Sequence, residues 1–394
     1  DNPYGTVGVK LADFDGKGYA EVTTYRTEQG YSDFRHPETV EWGTSLQEDV
    51  QRRDFTINAV ALKIVGGSPE IVDLVNGLAD LERKTIRAVG NPDERFKEDA
   101  LRLMRAVRFS AQLGFAIEEK TLEAVRNDCH LIESIAKERI RDEFFKILGS
   151  DNPYSGVVTL DEIGILDIIF PELLKGKGVS QARPGRHHTT DVFTHNLLSM
   201  KECPSKNPLV RFAALLHDVG KPYVASEDEE GYIIFYNHEV VGAKVAKEIS
   251  ERLRLSNKEK EKVYTLIRWH MFTVDEKITD SAVRRFIRRV GVENVKDMID
   301  LRIGDRLGGG TQTAESWRLK KFKERLEEQL NPPFSINDLA IDGNDIKTEL
   351  NIKPGREVGE ILKKLFEEVD EDLEKNNKEY LMGKVREYGK GIRS

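Results

Sequence analysis

The chain has 394 residues and carries 61 Lys and Arg against 69 Asp and Glu, a net charge of −8 at neutral pH. That length fits two to four domains of ordinary size, and the acidic balance excludes a uniformly basic nucleic-acid coat while leaving room for local basic patches. Charged residues make up 33% of the chain, and no run of ~18 apolar residues occurs, which excludes a membrane-spanning helix.

Cys129 and Cys203 are too few and too far apart for a disulfide framework or a zinc finger, which fits a reducing cytoplasm. The sequence opens at Asp1, without Met and without an apolar segment of the signal-peptide type, so the natural protein is expected to begin further upstream.

Residues 6–26 alternate in a strand-like way. "TVGVKLADF" and "YAEVTTYR" flank Asp15-Gly16-Lys17-Gly18, which predicts a β-hairpin. Asp13 and Asp15 form an Asp-x-Asp pair. On a strand such a pair points to one face and can hold catalytic magnesium, but the Gly-Lys-Gly that follows is turn chemistry, and the pair is taken as a turn. From about Asp54 onward helical patterns dominate. "FKEDALRLMRAVRFSAQLGF" is amphipathic, and "KTLEAVRNDCHLIESIAKERIRDEFFKILGS" predicts a helix stopping at Gly149. Residues 175–188 are Gly-rich and basic and read as a linker, with His187 and His188 inside it. Residues 189–305 are again helical, "LNPPFS" at 330–335 marks a break, and the tail 336–394 is helical with nearly balanced charge. The fold class is mainly α with a small β part.

On a continuous helix through "KEDALRLMRAVRF", Glu98, Arg102 and Arg105 share one face, with Asp99 on its shoulder. Ala100, Leu103, Met104 and Val107 lie opposite and are expected to bury. Two readings fit. The charges form a surface ion-pair lattice, worth a few tenths of a kcal/mol per pair, or they read a base. Cytosine and adenine each present an exocyclic amine beside a ring-nitrogen acceptor, whereas guanine and uracil present an N–H beside a carbonyl. An Asp that accepts from the amine and an Arg that donates to the ring nitrogen suit C and A; Asp99 and Arg102 have that chemistry. "RRDFTINA" also admits two readings: Arg52 and Arg53 grip a triphosphate while Asp54 and Asn58 bond ribose or orient the arginines, or the segment only caps a buried helix.

"EDVQRRDFTINAVAL", "IVDLVNGLADLERKTIRAVG" and "EDALRLMRAVRFSAQLGF" resemble successive motifs of the bacterial class II tRNA nucleotidyltransferases, the CCA-adding enzymes and their poly(A) polymerase relatives. Order and spacing agree down to "LDEIGILDIIFPEL". The resemblance implies the remnant of a DNA-polymerase-beta-like head (residues 1–62), a helical neck and body (63–175), an HD domain (176–310) and a helical tail (311–394). It implies that Asp99 and Arg102 read incoming CTP or ATP with Glu98 and Arg105 in support, and that Arg52, Arg53, Asp54 and Asn58 bind nucleotide. The implied partners are tRNA, CTP and ATP, with Mg2+ as cofactor in attack of the RNA 3′-hydroxyl on the α-phosphate. The family's Gly-Gly-x-Val-Arg-Asp loop and the catalytic Asp-x-Asp that follows it do not occur in these residues. The transferase's catalytic carboxylates are therefore expected upstream of Asp1, with Glu21 or Asp33 nearest to them.

A second constellation comprises His195, His217-Asp218, His238, His270 and Asp305. Any one histidine on an apolar helix is often a core residue. "LLHDVGK", however, resembles the HD phosphohydrolase signature, and the order His…His-Asp…Asp agrees with that family's ligand set, with His238 and His270 where two-metal members carry further histidines. Mixed imidazole and carboxylate ligands suit Mn, Fe, Ni, Co or Zn, and such ions activate water against a phosphoester. Lys221 is placed to hold a phosphate oxygen. In the tail, Lys353 and Arg356 flank Pro354-Gly355 at a helix start, either a phosphate contact on the RNA backbone, as the resemblance implies, or a structural cap. An HD-type phosphatase or phosphodiesterase with a non-functional nucleotidyltransferase remnant, and a non-catalytic tRNA-binding module, are the competing readings.

Overall fold

The computed structural model describes residues 6–10, 19–31, 37–43, 45–182, 190–275, 278–311, 313–330 and 335–390. The turn read at Asp13 and Asp15, Asp33, and the linker residues His187 and His188 lie outside the described residues. The molecule is mostly helical, with short two-stranded sheets. It divides into two units, Asp1–Arg268 with Asp300–Gln312, and Trp269–Ile299 with Thr313–Ser394.

In the first unit, strands Thr6–Lys10 and Tyr19–Thr23 pair antiparallel with Lys10 opposite Tyr19, the expected hairpin, and Glu21 is exposed on it. Arg26–Tyr31 pairs antiparallel with Pro37–Trp42. The helical reading from Asp54 onward needs a correction: Ala61–Val65 and Ser68–Val72 form a further hairpin. Its turn is Gly66-Gly67, with φ of 58° and 84°. Two consecutive left-handed residues make the tight turn that suits strand twist, and only glycine adopts that conformation without strain.

The continuous helix expected through "FKEDALRLMRAVRF" is two helices, Pro92–Glu98 and Leu101–Leu113. Asp99 breaks it. Its backbone is extended (φ −138°, ψ 101°), and its Oδ1 accepts the Leu101 N–H at 3.1 Å. A short polar side chain that bonds a backbone donor two residues on competes with helical pairing and interrupts the helix there. Gly114, at φ 67°, ends that second helix. The apolar face behaves as expected: Ala100, Leu103, Met104 and Val107 are all buried. The long helix expected after Lys120 is likewise divided, into Glu119–Asn127, a 3-10 turn Cys129–Ser134, and Lys137–Leu148, which does stop at Gly149. Phe144, Phe170 and Phe212 interlock behind these helices with ring centroids 4.7–6.1 Å apart. The region read as helical between 189 and 305 also carries a small hairpin, Ser226–Glu227 with Ile233–Ile234.

The second unit packs Asp280–Val290 and Trp317–Gln329 around Phe272, Phe286 and Phe322. Helices Gly343–Leu350, Arg356–Glu371 and Lys378–Lys390 enclose Ile346, Ile361, Leu365, Leu381 and Val385. Buried Asp370 accepts from Arg284 Nε at 2.9 Å and Arg288 Nη2 at 2.7 Å, tying two of these helices together.

Candidate functional site

The residues expected to handle nucleotide converge in the first unit, around the break at Asp99. Arg102 is anchored on three sides. Its Nη1 donates to Glu98 Oε2 at 2.7 Å and to the Arg95 carbonyl at 2.9 Å, and its Nη2 donates to the Arg52 carbonyl at 2.8 Å. Arg105 reaches Asp54 Oδ2 through Nε at 2.7 Å. Asp54 in turn receives Asn58 Nδ2 at 3.4 Å and the Phe55 N–H at 2.8 Å. The segments 52–58 and 98–105 thus form one hydrogen-bonded lattice, although the chain separates them by some forty residues.

Three residues of this lattice were not singled out in the sequence. Asp49 is 2% exposed and receives both Arg52 (Nε at 3.0 Å) and Arg53 (Nη2 at 3.2 Å). The two arginines expected to grip a triphosphate therefore rest on a buried carboxylate, and Arg53 also donates to the Asn58 carbonyl at 3.0 Å. The i, i+3 and i, i+4 spacing of Asp49 from them was the available signal. Arg95 pairs with Glu98 and donates to the Gln51 carbonyl at 2.9 Å. Arg139 holds Asp99 at 2.9 Å from the Lys137–Leu148 helix, a contact with no local sequence signal.

The histidine cluster is built by three helices and a turn of the same unit. Asp191 caps Val192–Glu202 by accepting the Thr194 N–H at 2.8 Å, which sets His195 in the first full turn. Pro208–Leu216, capped by Asn207, buries an apolar side and delivers His217 and Asp218 at its end. His238 opens the helix His238–Arg252, and Asp305 lies on Val295–Gly308.

Two glycines let these elements approach. A Cβ on Gly220 would stand 2.2 Å from the His238 carbonyl oxygen and 2.5 Å from the Gly242 nitrogen. A Cβ on Gly304 would stand 2.4 Å from the Ser199 carbonyl oxygen. Neither gap admits a methyl group.

The donor atoms face one another. His195 Nε2 lies 3.2 Å from His217 Nε2, 3.4 Å from Asp218 Oδ2 and 3.3 Å from Asp305 Oδ1. His217 Nε2 lies 3.3 Å from Asp218 and 3.6 Å from Asp305, and His238 Nε2 lies 3.3 Å from Asp218 Oδ1. Donors that share an ion at bond lengths of ~2.1 Å stand ~3.0–3.4 Å apart, so the spacing fits a divalent ion.

The outer contacts fit as well. His217 Nδ1 donates to the Ala214 carbonyl at 2.8 Å and His238 Nδ1 to the Phe235 carbonyl at 2.7 Å. A carbonyl can only accept, so each ring carries a proton on Nδ1 and directs Nε2 at the cluster, the usual outer bond of a metal-ligating histidine.

Burial would drive the proton off His217, but the Asp218 and Asp305 carboxylates outweigh it and push its pKa up to about 10. His195 is raised for the same reason against the same burial. Burial also opposes ionisation of Asp218 and Asp305, yet the imidazoles, with Lys221 beside Asp218 and Arg302 beside Asp305, hold both carboxyls well below the usual range. Without an ion the cluster holds a proton among its donors, and a cation satisfies the same charges.

Lys221 pairs with Asp218 and Gln181. His270 is buried and belongs to the second unit. Lys353 and Arg356 are exposed there, with Gly355 as the cap of Arg356–Glu371, and Arg356 bonds Glu360 at 2.8 Å.

Comparison with known proteins agrees with this layout. A model of the poly A polymerase head domain matches residues 4–87, the probable RNA and SrmB-binding site of polymerase A matches 114–176, and the HD domain matches 195–310. An A-adding tRNA nucleotidyltransferase of Deinococcus radiodurans is 34% identical over 340 residues, covering 82% of this chain and 75% of that protein. A CCA-adding enzyme of Limosilactobacillus reuteri is 54% identical over 142 residues, covering 36% of this chain and only 34% of that protein. The chain thus spans three quarters of the first relative's length and about a third of the second's. Among solved structures, the Bacillus stearothermophilus CCA-adding enzyme in complex with CTP superposes with a TM-score of 0.65 at 25% identity, covering 99% of this chain and 83% of that one. The Thermotoga maritima CCA-adding enzyme complexed with tRNA shares the fold, with a TM-score of 0.55 at 20% identity over 97% of this chain and 80% of that one. With a relative this similar over most of both chains, the chain belongs to the tRNA nucleotidyltransferase family of CCA-adding and A-adding enzymes, and it carries an HD domain.

Proposed function

We propose that the protein adds C, A or both to tRNA 3′ ends from CTP and ATP, choosing the nucleotide through Asp99 and Arg102. The carrying observation is their shared, anchored geometry. Asp99 sits at the break between two helices with an acceptor oxygen, and one turn on, Arg102 is fixed by Glu98 and two carbonyls. Base selection needs a rigid pair, because discrimination comes from polar groups left unmatched by the wrong base. Arg105, on the same helix as Arg102, ties that helix to the neighbouring segment through Asp54, which Asn58 also bonds. In this reading Arg52 and Arg53 exchange Asp49 for the triphosphate, and exposed Lys353 and Arg356 meet the RNA backbone.

Nucleotidyltransferase and HD domains generally use divalent metals. We assign Mg2+ to transfer, and Mn, Fe, Ni, Co or Zn to His195, His217, Asp218 and Asp305, with His238 completing a wider set. These ions would neutralise the transferred phosphate and activate water, while the chain's residues supply orientation and proton placement. The histidine site acts on phosphoesters in this reading. The tautomers of His217 and His238, both turned to offer Nε2, support it. Residues 1–62, 63–175, 176–310 and 311–394 serve as head, neck and body, HD and tail regions. Two free cysteines fit a reducing, cytoplasmic setting.

The test is addition of labelled C and A to tRNA that ends before its CCA, using the full-length gene product. Asp99→Ala is expected to abolish selective addition. Addition with unchanged selectivity would refute the assignment.

A further inference from the structure

The contacts around Asp99 specify more than which residue reads the base. An ionised carboxylate offers four lone-pair directions, two on each oxygen. Among the described residues three are occupied. Oδ1 receives the Leu101 N–H at 3.1 Å and Arg139 Nη1 at 3.3 Å. Oδ2 receives Arg139 Nη2 at 2.9 Å. One direction remains, on Oδ2. A guanidinium has five N–H donors. Arg102 commits three of them, two on Nη1 and one on Nη2, to Glu98 and the Arg95 and Arg52 carbonyls. Two remain, Nε–H and one Nη2–H. The pair thus presents a single acceptor and a short row of donors.

That residue is complementary to one edge. C and A each offer one exocyclic amine proton beside a ring-nitrogen acceptor, and cytosine adds a carbonyl that the second donor can meet. A carboxylate free to rotate would present two adjacent acceptors and could also take the ring N–H of uracil or guanine. The paired N–H donors of Arg139 form a planar fork that fixes both oxygens at once, which a single ammonium cannot do.

Resting on the base-reading role of Asp99, we propose that Arg139 is a positioning residue for nucleotide choice: by occupying both Asp99 oxygens from the Lys137–Leu148 helix, it leaves one acceptor on Oδ2 and thereby restricts the site to bases with a single amine donor there. Arg139 does not touch the base.

The test is displacement of a fluorescent CTP analogue by CTP, ATP, UTP and GTP, measured on the wild-type chain and on Arg139→Gln, Arg139→Lys and Asp99→Ala, each with a thermal melt. Arg139→Gln is expected to lower the CTP-over-UTP preference by roughly 10-fold, the scale of one charge-assisted hydrogen bond, with a melting temperature close to wild type. Arg139→Lys, which keeps the charge and loses the fork, is expected to restore less than half of the lost preference. A purely structural role would weaken all four nucleotides together and leave the ratio unchanged. If Asp99→Ala loses the preference while Arg139→Gln keeps it, the base reading stands and the role of Arg139 is refuted. If neither substitution changes the preference, the base reading falls, and the role of Arg139 falls with it.

Discussion

Gly220→Ala tests whether the histidine cluster is assembled by backbone approach. The backbone of Gly220, at φ −78° and ψ −20°, is right-handed helical and accepts alanine without strain. The added methyl meets only backbone: the His238 carbonyl oxygen at 2.2 Å, the Gly242 nitrogen at 2.5 Å and the Gly242 Cα at 2.9 Å. Non-bonded contacts of about 3.5 Å require the His238–Arg252 helix to retreat by roughly 1 Å. Overpacking of this kind costs ~1–3 kcal/mol, and the stiffer unfolded chain returns ~0.4–1 kcal/mol, so the net loss of stability is only about 0–2.5 kcal/mol. Metal affinity decides the matter more sharply. The displaced helix carries His238, whose Nε2 stands 3.3 Å from Asp218 Oδ1. A comparable loosening of ligand supports costs about 10–100-fold in affinity. The assay is isothermal titration of the metal-stripped chain with Mn2+ and Zn2+, with a circular-dichroism melt as the folding control. A folded Gly220→Ala chain that binds both ions with wild-type affinity would refute the reasoning.

Gly304→Ala acts on the helix that carries Asp305, where the new Cβ would meet the Ser199 carbonyl oxygen at 2.4 Å. It is expected to move Asp305 away from His195 and lower Mn2+ affinity in the same titration, although alanine favours a helix interior over glycine by ~1 kcal/mol. The second unit carries an acid-labile lock. Burial opposes ionisation of Asp370, but Arg288 and Arg284 outweigh it and hold its carboxyl below the usual carboxylate range. A depressed carboxyl contributes stability that is fully present above its unfolded value and is lost as pH falls through the folded value. The melting temperature should therefore fall below about pH 4. Asp370→Asn should cost ~3–5 kcal/mol at pH 7, by leaving buried Arg284 unpaired, and should flatten that acid limb in melts recorded from pH 7 to pH 2. An acid limb of unchanged steepness in Asp370→Asn would count against the lock.

Local pattern carried a large part of this site. His217 and Asp218 are adjacent, so their chemistry shows in five residues, and the apolar helix before them announces where they are delivered. Ala100, Leu103, Met104 and Val107 bury as their spacing requires, because a helix face keeps its phase over two turns even when a break lies just before it. The break itself does not show in the periodicity, which treats Asp99 as a charge on a face, whereas its side chain competes for the Leu101 N–H. The hairpin at 61–72 is hard to read from the sequence because its strands are short, although Gly66-Gly67 is a turn signal. The Asp99–Arg139 and Arg105–Asp54 pairs join residues 40 and 51 positions apart. Periodicity says nothing about such contacts, since tertiary packing alone brings those helices together. Gly220 and Gly304 stood in the sequence, but their purpose appears only once the backbone facing each is known.

The central claim is that Asp99 and Arg102 choose C and A, and isothermal titration of the chain with CTP, ATP, UTP and GTP tests it most directly. Each polar group left unmatched by the wrong base costs ~1–3 kcal/mol, so CTP and ATP should bind about 10–100-fold more tightly than UTP and GTP, and Asp99→Ala should erase the difference. Equal affinity for all four nucleotides in the wild-type chain, or a preference that survives in Asp99→Ala, would contradict it.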